Sequence, residues 1–211
     1  GGFGIDEGML APVMAARDRW LKPGGIMIPS AVTAWAGLVH DRYLDDMVKF
    51  MQNNPYGVEL DDLIEKTVNE ISYSGSFRHL VAADMRSEAS PLWVTDTETI
   101  PLVDAQAAHD AEIRLAIHEQ GTANALALWF SAEVAPGVSL SVGPGDPPTH
   151  WGMTTAPLRA SVELMPDTVV RARVRTAPAQ PMGTWTRWAI AMPGADWEEH
   201  DEQAIWEEID D

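Results

Sequence analysis

A mainly β fold, an antiparallel β-barrel or distorted sandwich with an N-terminal helix and an inserted helical arm, is what this 211-residue sequence predicts. Three observations carry that prediction. Candidate strands follow one another through the second half of the chain, separated by turn signals at Pro136-Gly137, Gly143-Pro144-Gly145 and Pro193-Gly194. Val170, Ala172 and Val174 alternate with Arg171, Arg173 and Arg175, the period of a strand with one core face and one wet face. Leu44, Met47, Val48 and Met51 recur at helical spacing in the stretch that interrupts the strands.

Asp6 is placed to cap a first helix with apolar positions Met9, Leu10, Val13, Met14, Trp20 and Leu21, and Arg17 and Arg19 fall near the negative end of its dipole. Pro23-Gly24-Gly25 stops it. Ile26-Met27-Ile28 reads as a short strand ended by Pro29, and Ala31 to Val39 as a longer one rich in β-formers. The helical insert spans about Asp41 to Asn69, broken at Asn53-Asn54-Pro55-Tyr56-Gly57 and resumed from Asp61. Strands are then predicted at His79 to Met85, Ala111 to His118, Ala123 to Val134, Val138 to Val142, Trp151 to Leu158, Thr168 to Thr176 and Thr184 to Met192. Beyond Asp196 an acidic tail carries Trp197, Ile205 and Trp206 at uneven spacing, which suits a docking helix or an arm disordered at its very end.

Fourteen Lys plus Arg against 32 Asp plus Glu give a net charge of −18, which repels a phosphate backbone, so no nucleic acid partner is expected and a cationic partner is. Nine of those acids lie between Asp196 and Asp211, so half of the surplus belongs to the tail. The absence of cysteine excludes thiolate metal sites, Cys nucleophiles and a disulfide scaffold, and the expectation is a cytoplasmic chain. No apolar run approaches the roughly 18 residues of a membrane span, so no membrane partner is expected. No secretory signal is visible, and the opening Gly1-Gly2-Phe3-Gly4, without Met, suggests a protein that continues upstream. The six histidines are scattered, and His109 and His118 stand too far apart to argue for a metal site. Nine tryptophans fit stacking on a glycan or peptide, yet with three Tyr and four Phe in a β-rich chain they serve more naturally as core.

Four segments in order are more specific. Asp6-Glu7-Gly8-Met9-Leu10, Ala16-Arg17-Asp18-Arg19-Trp20-Leu21-Lys22-Pro23-Gly24-Gly25, Ile28-Pro29 and Pro144-Gly145-Asp146-Pro147-Pro148-Thr149-His150-Trp151 together resemble the protein arginine methyltransferases over most of the chain. The resemblance implies that residues 1–29 are the end of an S-adenosylmethionine-binding domain. Residues 30–211 are then the β-barrel substrate-binding domain, with a dimerisation arm at about 41–69 and the acidic tail at about 196–211.

It also implies roles. Glu7 is the second carboxylate of a double-glutamate loop whose first member would stand three residues before Gly1. Two carboxylates suit the chemistry, because a guanidinium stays protonated and its planar fork is held bidentately. Orienting it toward a sulfonium methyl then supplies much of the rate. By the same resemblance His150 is catalytic, orienting or pairing an acid outside this chain, while Thr149 and Trp151 line the acceptor pocket. Met9 matches the methionine found in enzymes that make asymmetric dimethylarginine. Asp6, where an aromatic is usual, and Gly152-Met153, where Lys-Gln is usual, depart from the pattern. S-adenosylmethionine is the implied methyl donor, bound mainly by residues outside this chain, and arginines of basic proteins are the implied acceptors. A homodimer through the arm is implied as well, with Met47, Val48, Met51, Leu63 and Ile64 presented to a second subunit. The chain alone is expected to be inactive. Rival readings are a non-catalytic β-barrel protein-interaction module and a glycan-processing sandwich with paired carboxylates.

Overall fold

Where β-branched and small residues alternate with polar ones the chain is extended, and where apolar residues recur every three to four it coils. The computed structural model describes residues 3–4, 8–73, 80–179 and 183–202. In chain order these form α1 (Leu10–Trp20), β1 (Ala31–Val39), α2 (Arg42–Gln52), α3 (Asp61–Asn69), β2 (Ser72–Tyr73), β3 (Ser90–Asp96) and α4 (Leu102–Ala105). They continue with β4 (His109–Ala116), β5 (Gly121–Ala135), β6 (Val138–Ser141), β7 (Thr154–Leu164), β8 (Val169–Pro178), β9 (Thr184–Ala191) and β10 (Glu198–Asp201). One antiparallel sheet has the order β2-β7-β5-β1-β3, with β6 paired to β5, and the other runs β10-β9-β8-β4. Segment 85–88 bridges them at one corner, through Val39 to Met85 and Ser87 to Ile117. Among the described residues the hydrogen bonding does not close a barrel, so the arrangement is the distorted sandwich, mainly β and antiparallel.

The two sheets share a core. Ala34, Ala36 and Leu38 of β1 and Leu126 and Leu128 of β5 meet Leu115, Val170, Ala172, Val174 and Trp188 of the smaller sheet. The alternation of β8 is as predicted: Val170, Ala172 and Val174 are fully buried while Arg171 and Arg175 are exposed. That outer face is not bare, because the guanidinium carbons of Arg171 and Arg173 lie 4.7 and 4.6 Å from the Trp197 ring centre. Strand β5 is buried on both sides. Leu126 and Leu128 belong to the inter-sheet core, whereas Ala125, Ala127 and Trp129 belong to a second cluster that Leu44, Met47 and Val48 of α2 cover. A doubly buried strand reads as a continuous apolar run, which is what residues 125–130 are.

The arm therefore folds onto its own sheet. Asp41 caps α2 by accepting from the amides of Tyr43 (3.1 Å) and Leu44 (3.2 Å), and its backbone exchanges hydrogen bonds of 2.7 and 2.8 Å with the Asn124 side chain. Met51 is buried, Met47, Val48 and Ile64 are half-buried, and of the five apolar residues expected to await a partner only Leu63 is well exposed. The exposed apolar side chains of the arm are Tyr43, Phe50, Tyr56, Val58 and Leu63.

Other expectations need correction. Ile26 to Ile28 is not a strand; Ile26 and Ile28 are exposed and the segment pairs with nothing among the described residues. His79 lies outside the described residues, and the rest of the strand predicted to Met85 is a buried Leu80 followed by a single 3-10 turn, Ala82–Asp84. The Asp84 carboxylate stabilises that turn by accepting from the Val81 amide at 2.9 Å. Strands β2, β3 and β10 were not anticipated, nor was α4. The first part of the acidic tail is neither helix nor disordered but edge strand β10, and Ile205 and Trp206 lie outside the described residues. Helix α1 starts at Leu10 with no side-chain cap, and Asp6 too is outside the described residues. No helix among the described residues is long and apolar enough to cross a membrane.

Candidate functional site

The proline-rich connection between β6 and β7 is pinned at both ends. At its start the Gly143 amide donates to the Asp146 carboxylate at 2.9 Å, and at its end Gly152 takes φ 63° so that Met153 turns into the core. Between them Pro147 and Pro148 restrict the backbone. The loop thus presents His150 and Trp151 at a surface, with ring centres 4.1 Å apart. Trp151, 38% exposed, meets Phe130 of β5 edge-on at 5.8 Å. The Thr149 hydroxyl is buried and has no hydrogen-bond partner among the described residues.

Phe130 connects this loop to the start of the chain. Gly4 has φ 93° and lies so close to the strand that a Cβ there would stand 2.7 Å from Val32 Cγ1 and 3.2 Å from Phe130 Cβ. Only glycine allows that approach. Phe3, its neighbour, is buried in the inter-sheet core and packs at 6.1 Å on Trp93. Trp151 and Gly4 therefore abut the same aromatic side chain. Glu7 lies outside the described residues. Met9 stands immediately before α1, 53% exposed, and no described contact joins it to the loop. Of the five residues singled out from sequence, His150, Trp151 and Thr149 are together, Met9 stands apart, and Phe130 is the shared wall that sequence reading missed. Its neighbour Trp129 and the apolar run around it disguised it as ordinary core.

A separate cavity of about 360 Å³ opens between the head of α1 and the ends of β4, β8 and β9. Gly8, Leu10, Ala105, His109, Thr176 and Thr184 are among its walls. His109 stacks on Trp93 at 5.0 Å, and burial pushes its imidazole below the ordinary value near 6.5. No Asp, Glu, Lys or Arg side chain is among the described walls of this cavity. No group of three or more His, Asp or Glu side chains suited to a metal occurs among the described residues.

Comparisons with known proteins place the fold. A family model described as "Arginine methyltransferase oligomerization subdomain" matches residues 30–187. Protein arginine N-methyltransferase 6 of Xenopus laevis is 26% identical over 189 residues, covering 82% of this chain and 52% of that protein. The Arginine N(omega)-methyltransferase of Streptomyces achromogenes subsp. streptozoticus is 31% identical over 160 residues, covering 73% of this chain and 40% of that protein. The chain thus spans about half the length of the curated relatives it matches. Among solved structures, the Trypanosoma brucei PRMT1 enzyme-prozyme heterotetrameric complex with AdoHcy superposes with a TM-score of 0.79 at 19% identity, covering 92% of this chain and 62% of that one. Arabidopsis thaliana protein arginine methyltransferase 10 does so with a TM-score of 0.72 at 15% identity, covering 95% and 68%. From the match across residues 30–187, and from a two-sheet fold shared with those structures, the chain belongs to the protein arginine methyltransferase family and carries its C-terminal part.

Proposed function

We propose that this chain is the acceptor-binding and dimerisation part of a protein arginine N-methyltransferase whose intact form methylates arginine side chains of basic proteins. The observation that carries the reading is the loop holding His150 against Trp151 over Phe130, the side chain against which Gly4 also packs. Glu7 follows Gly4 by three residues, a reach of about 11 Å at most. A carboxylate within that reach holds a guanidinium by two parallel hydrogen bonds, and the Trp151 face adds cation–π attraction. His150 beside it orients the carboxylate or takes part in the ion pair that frames the acceptor.

S-adenosylmethionine, when bound, supplies an electrophilic methyl group. No glycine-rich strand-to-helix turn of the kind that receives its nucleoside occurs among the described residues, so none of them is assigned to it. The net charge of −18 favours basic acceptor proteins, and the family expectation of a homodimer falls on the exposed arm residues Phe50, Tyr56 and Val58. A cysteine-free chain suits a cytoplasmic enzyme. The name of the Streptomyces relative mentions arginine rather than a protein, which makes free arginine the second acceptor reading.

The test uses the full-length enzyme with a Gly/Arg-containing peptide and, in parallel, free arginine. Glu7→Gln is expected to lower turnover about a hundredfold or more while cofactor affinity stays nearly unchanged. Near-normal turnover in that variant removes Glu7 from the site. Methylation of free arginine but not of the peptide favours the second acceptor.

A further inference from the structure

One side chain in the Ala16-to-Gly25 segment does work that acceptor binding does not explain. Arg17 lies near the end of surface helix α1, yet its side chain is only 9% exposed. Its Nη1 donates to the Thr97 carbonyl at 2.9 Å and lies 3.3 Å from Met14 Sδ, while Nε and Nη2 both donate to Asp18 Oδ1, at 2.8 and 2.6 Å. Thr97, in the turn after β3, is itself 4% exposed. Its amide donates to the Ser30 carbonyl at 2.9 Å, and its hydroxyl lies within hydrogen-bond reach of the Pro29 and Ser30 carbonyls. A single turn residue thus receives α1 from one side and the lead-in to β1 from the other. Between those attachments Trp20, Leu21, Ile26 and Ile28 are exposed, so the covalent connection runs over the surface and fixes little.

Burying a guanidinium carries a desolvation cost that an apolar side chain at the same place avoids. What the guanidinium adds is direction, because its planar fork sets the angle between the groups it joins. Angle matters at this position. Arg17 is seven residues past Leu10, about 10 Å along the helix axis, so a tilt of about 6° about Arg17 moves the head of α1 by about 1 Å. A misplacement of that size costs on the order of a hundredfold in rate where reacting groups must align.

We propose that Arg17 is a positioning residue: by clasping the Thr97 carbonyl it sets the angle at which α1, the helix that follows Glu7 in the sequence, meets the sheet that carries the His150–Trp151 loop. This rests on the acceptor reading above. The clasp does not touch acceptor or methyl donor and acts only through the helix.

The test again uses the full-length enzyme and the Gly/Arg-containing peptide. Arg17→Met keeps the aliphatic stem and loses every donor; Arg17→Lys keeps the charge on a single donor nitrogen and loses the fork. For Arg17→Met, kcat falls about ten- to a hundredfold, while KM for the peptide and Kd for S-adenosylmethionine stay within about twofold. Arg17→Lys recovers part of that loss, and amide exchange across α1 accelerates in Arg17→Met. Ile190→Val, in the inter-sheet core, supplies a variant of lowered Tm in which kcat holds. The clasp is overturned if a folded Arg17→Met keeps kcat within about twofold, or if Arg17→Lys recovers nothing and Ile190→Val loses kcat in parallel. Should Arg17→Met not fold, Arg17→Lys, which loses the planar fork, decides: a kcat lowered about three- to tenfold with KM and Kd unchanged supports the clasp, and an unchanged kcat overturns it. A crippled Glu7→Gln beside a silent Arg17→Met rejects the clasp alone. If both are silent, the acceptor reading fails and takes the clasp with it.

Discussion

His200 has both ring nitrogens turned toward acceptors. Asn69 directs its amide hydrogens to the Glu65 carbonyl (3.0 Å) and carboxylate (2.9 Å), which leaves Oδ1 facing His200 Nδ1 at 3.0 Å. Glu198 Oε1 lies 2.9 Å from Nε2, and the ring stacks on Trp188 at 5.1 Å. The hydrogen bond from His200, followed by that from the Arg159 amide, holds the Glu198 carboxyl below its ordinary value near 4.5, against the opposing effect of burial. A depressed carboxyl adds stability that is fully present above the unfolded-state value and is lost as pH falls through the folded-state value, so the window lies below about pH 4.5. Urea denaturation of the wild type is therefore expected to show stability falling faster below about pH 4.5 than in Glu198→Gln, whose amide cannot titrate. Parallel pH curves for the two proteins refute this account of Glu198.

The helical arm has two chemically different sides, and substitutions separate them. Leu44, 2% exposed, is enclosed by the cluster on the outer face of β5, so Leu44→Ala is expected to cost about 3 kcal/mol in chemical denaturation. Tyr56, 76% exposed and in edge contact with Phe50 at 6.0 Å, loses little on replacement by Ser, within about 0.5 kcal/mol. On the dimer proposal Tyr56→Ser nevertheless weakens self-association in sedimentation experiments, and unchanged association excludes that residue from the interface. These two faces also show what sequence could tell. The i, i+4, i+7 row of Leu44, Val48 and Met51 announced a helix, but only the location of β5 shows that the row is spent on the chain's own sheet. Periodicity recovered β8 and β5 because their burial is regular, on one face or on both. It failed at β3, where Pro91 suits an edge strand rather than a central one, and at β10, where Glu198, Glu199 and Asp201 read as solvated tail. At Ile26 to Ile28 β-propensity was present without a partner. The loop carrying His150 and Trp151 was legible as a motif and not from physical pattern, while Thr97 and Phe130 carry no mark in one dimension because their importance comes from who meets them.

On the proposed function, acceptor binding falls to this chain and donor binding to residues outside it. The sandwich supplies a rigid two-sheet platform, a loop with an imidazole and an indole at its surface, and a helix clasped at a fixed angle to that platform. A methyl donor with a nucleoside needs more: convergent polar groups around an apolar pocket, above all an acid for the ribose hydroxyls. The 360 Å³ cavity beside His109 has enough volume for a small ligand, but no carboxylate is among its described walls, and Gly8, Leu10, Ala105 and Thr176 offer mostly apolar surface. Titration calorimetry of this 211-residue chain is therefore expected to give no measurable heat of S-adenosylmethionine binding, whereas the full-length enzyme binds it. A Kd tighter than about 100 μM for the chain alone, equivalent to about 5.5 kcal/mol, means that donor recognition lies within these residues and overturns this division between donor and acceptor halves.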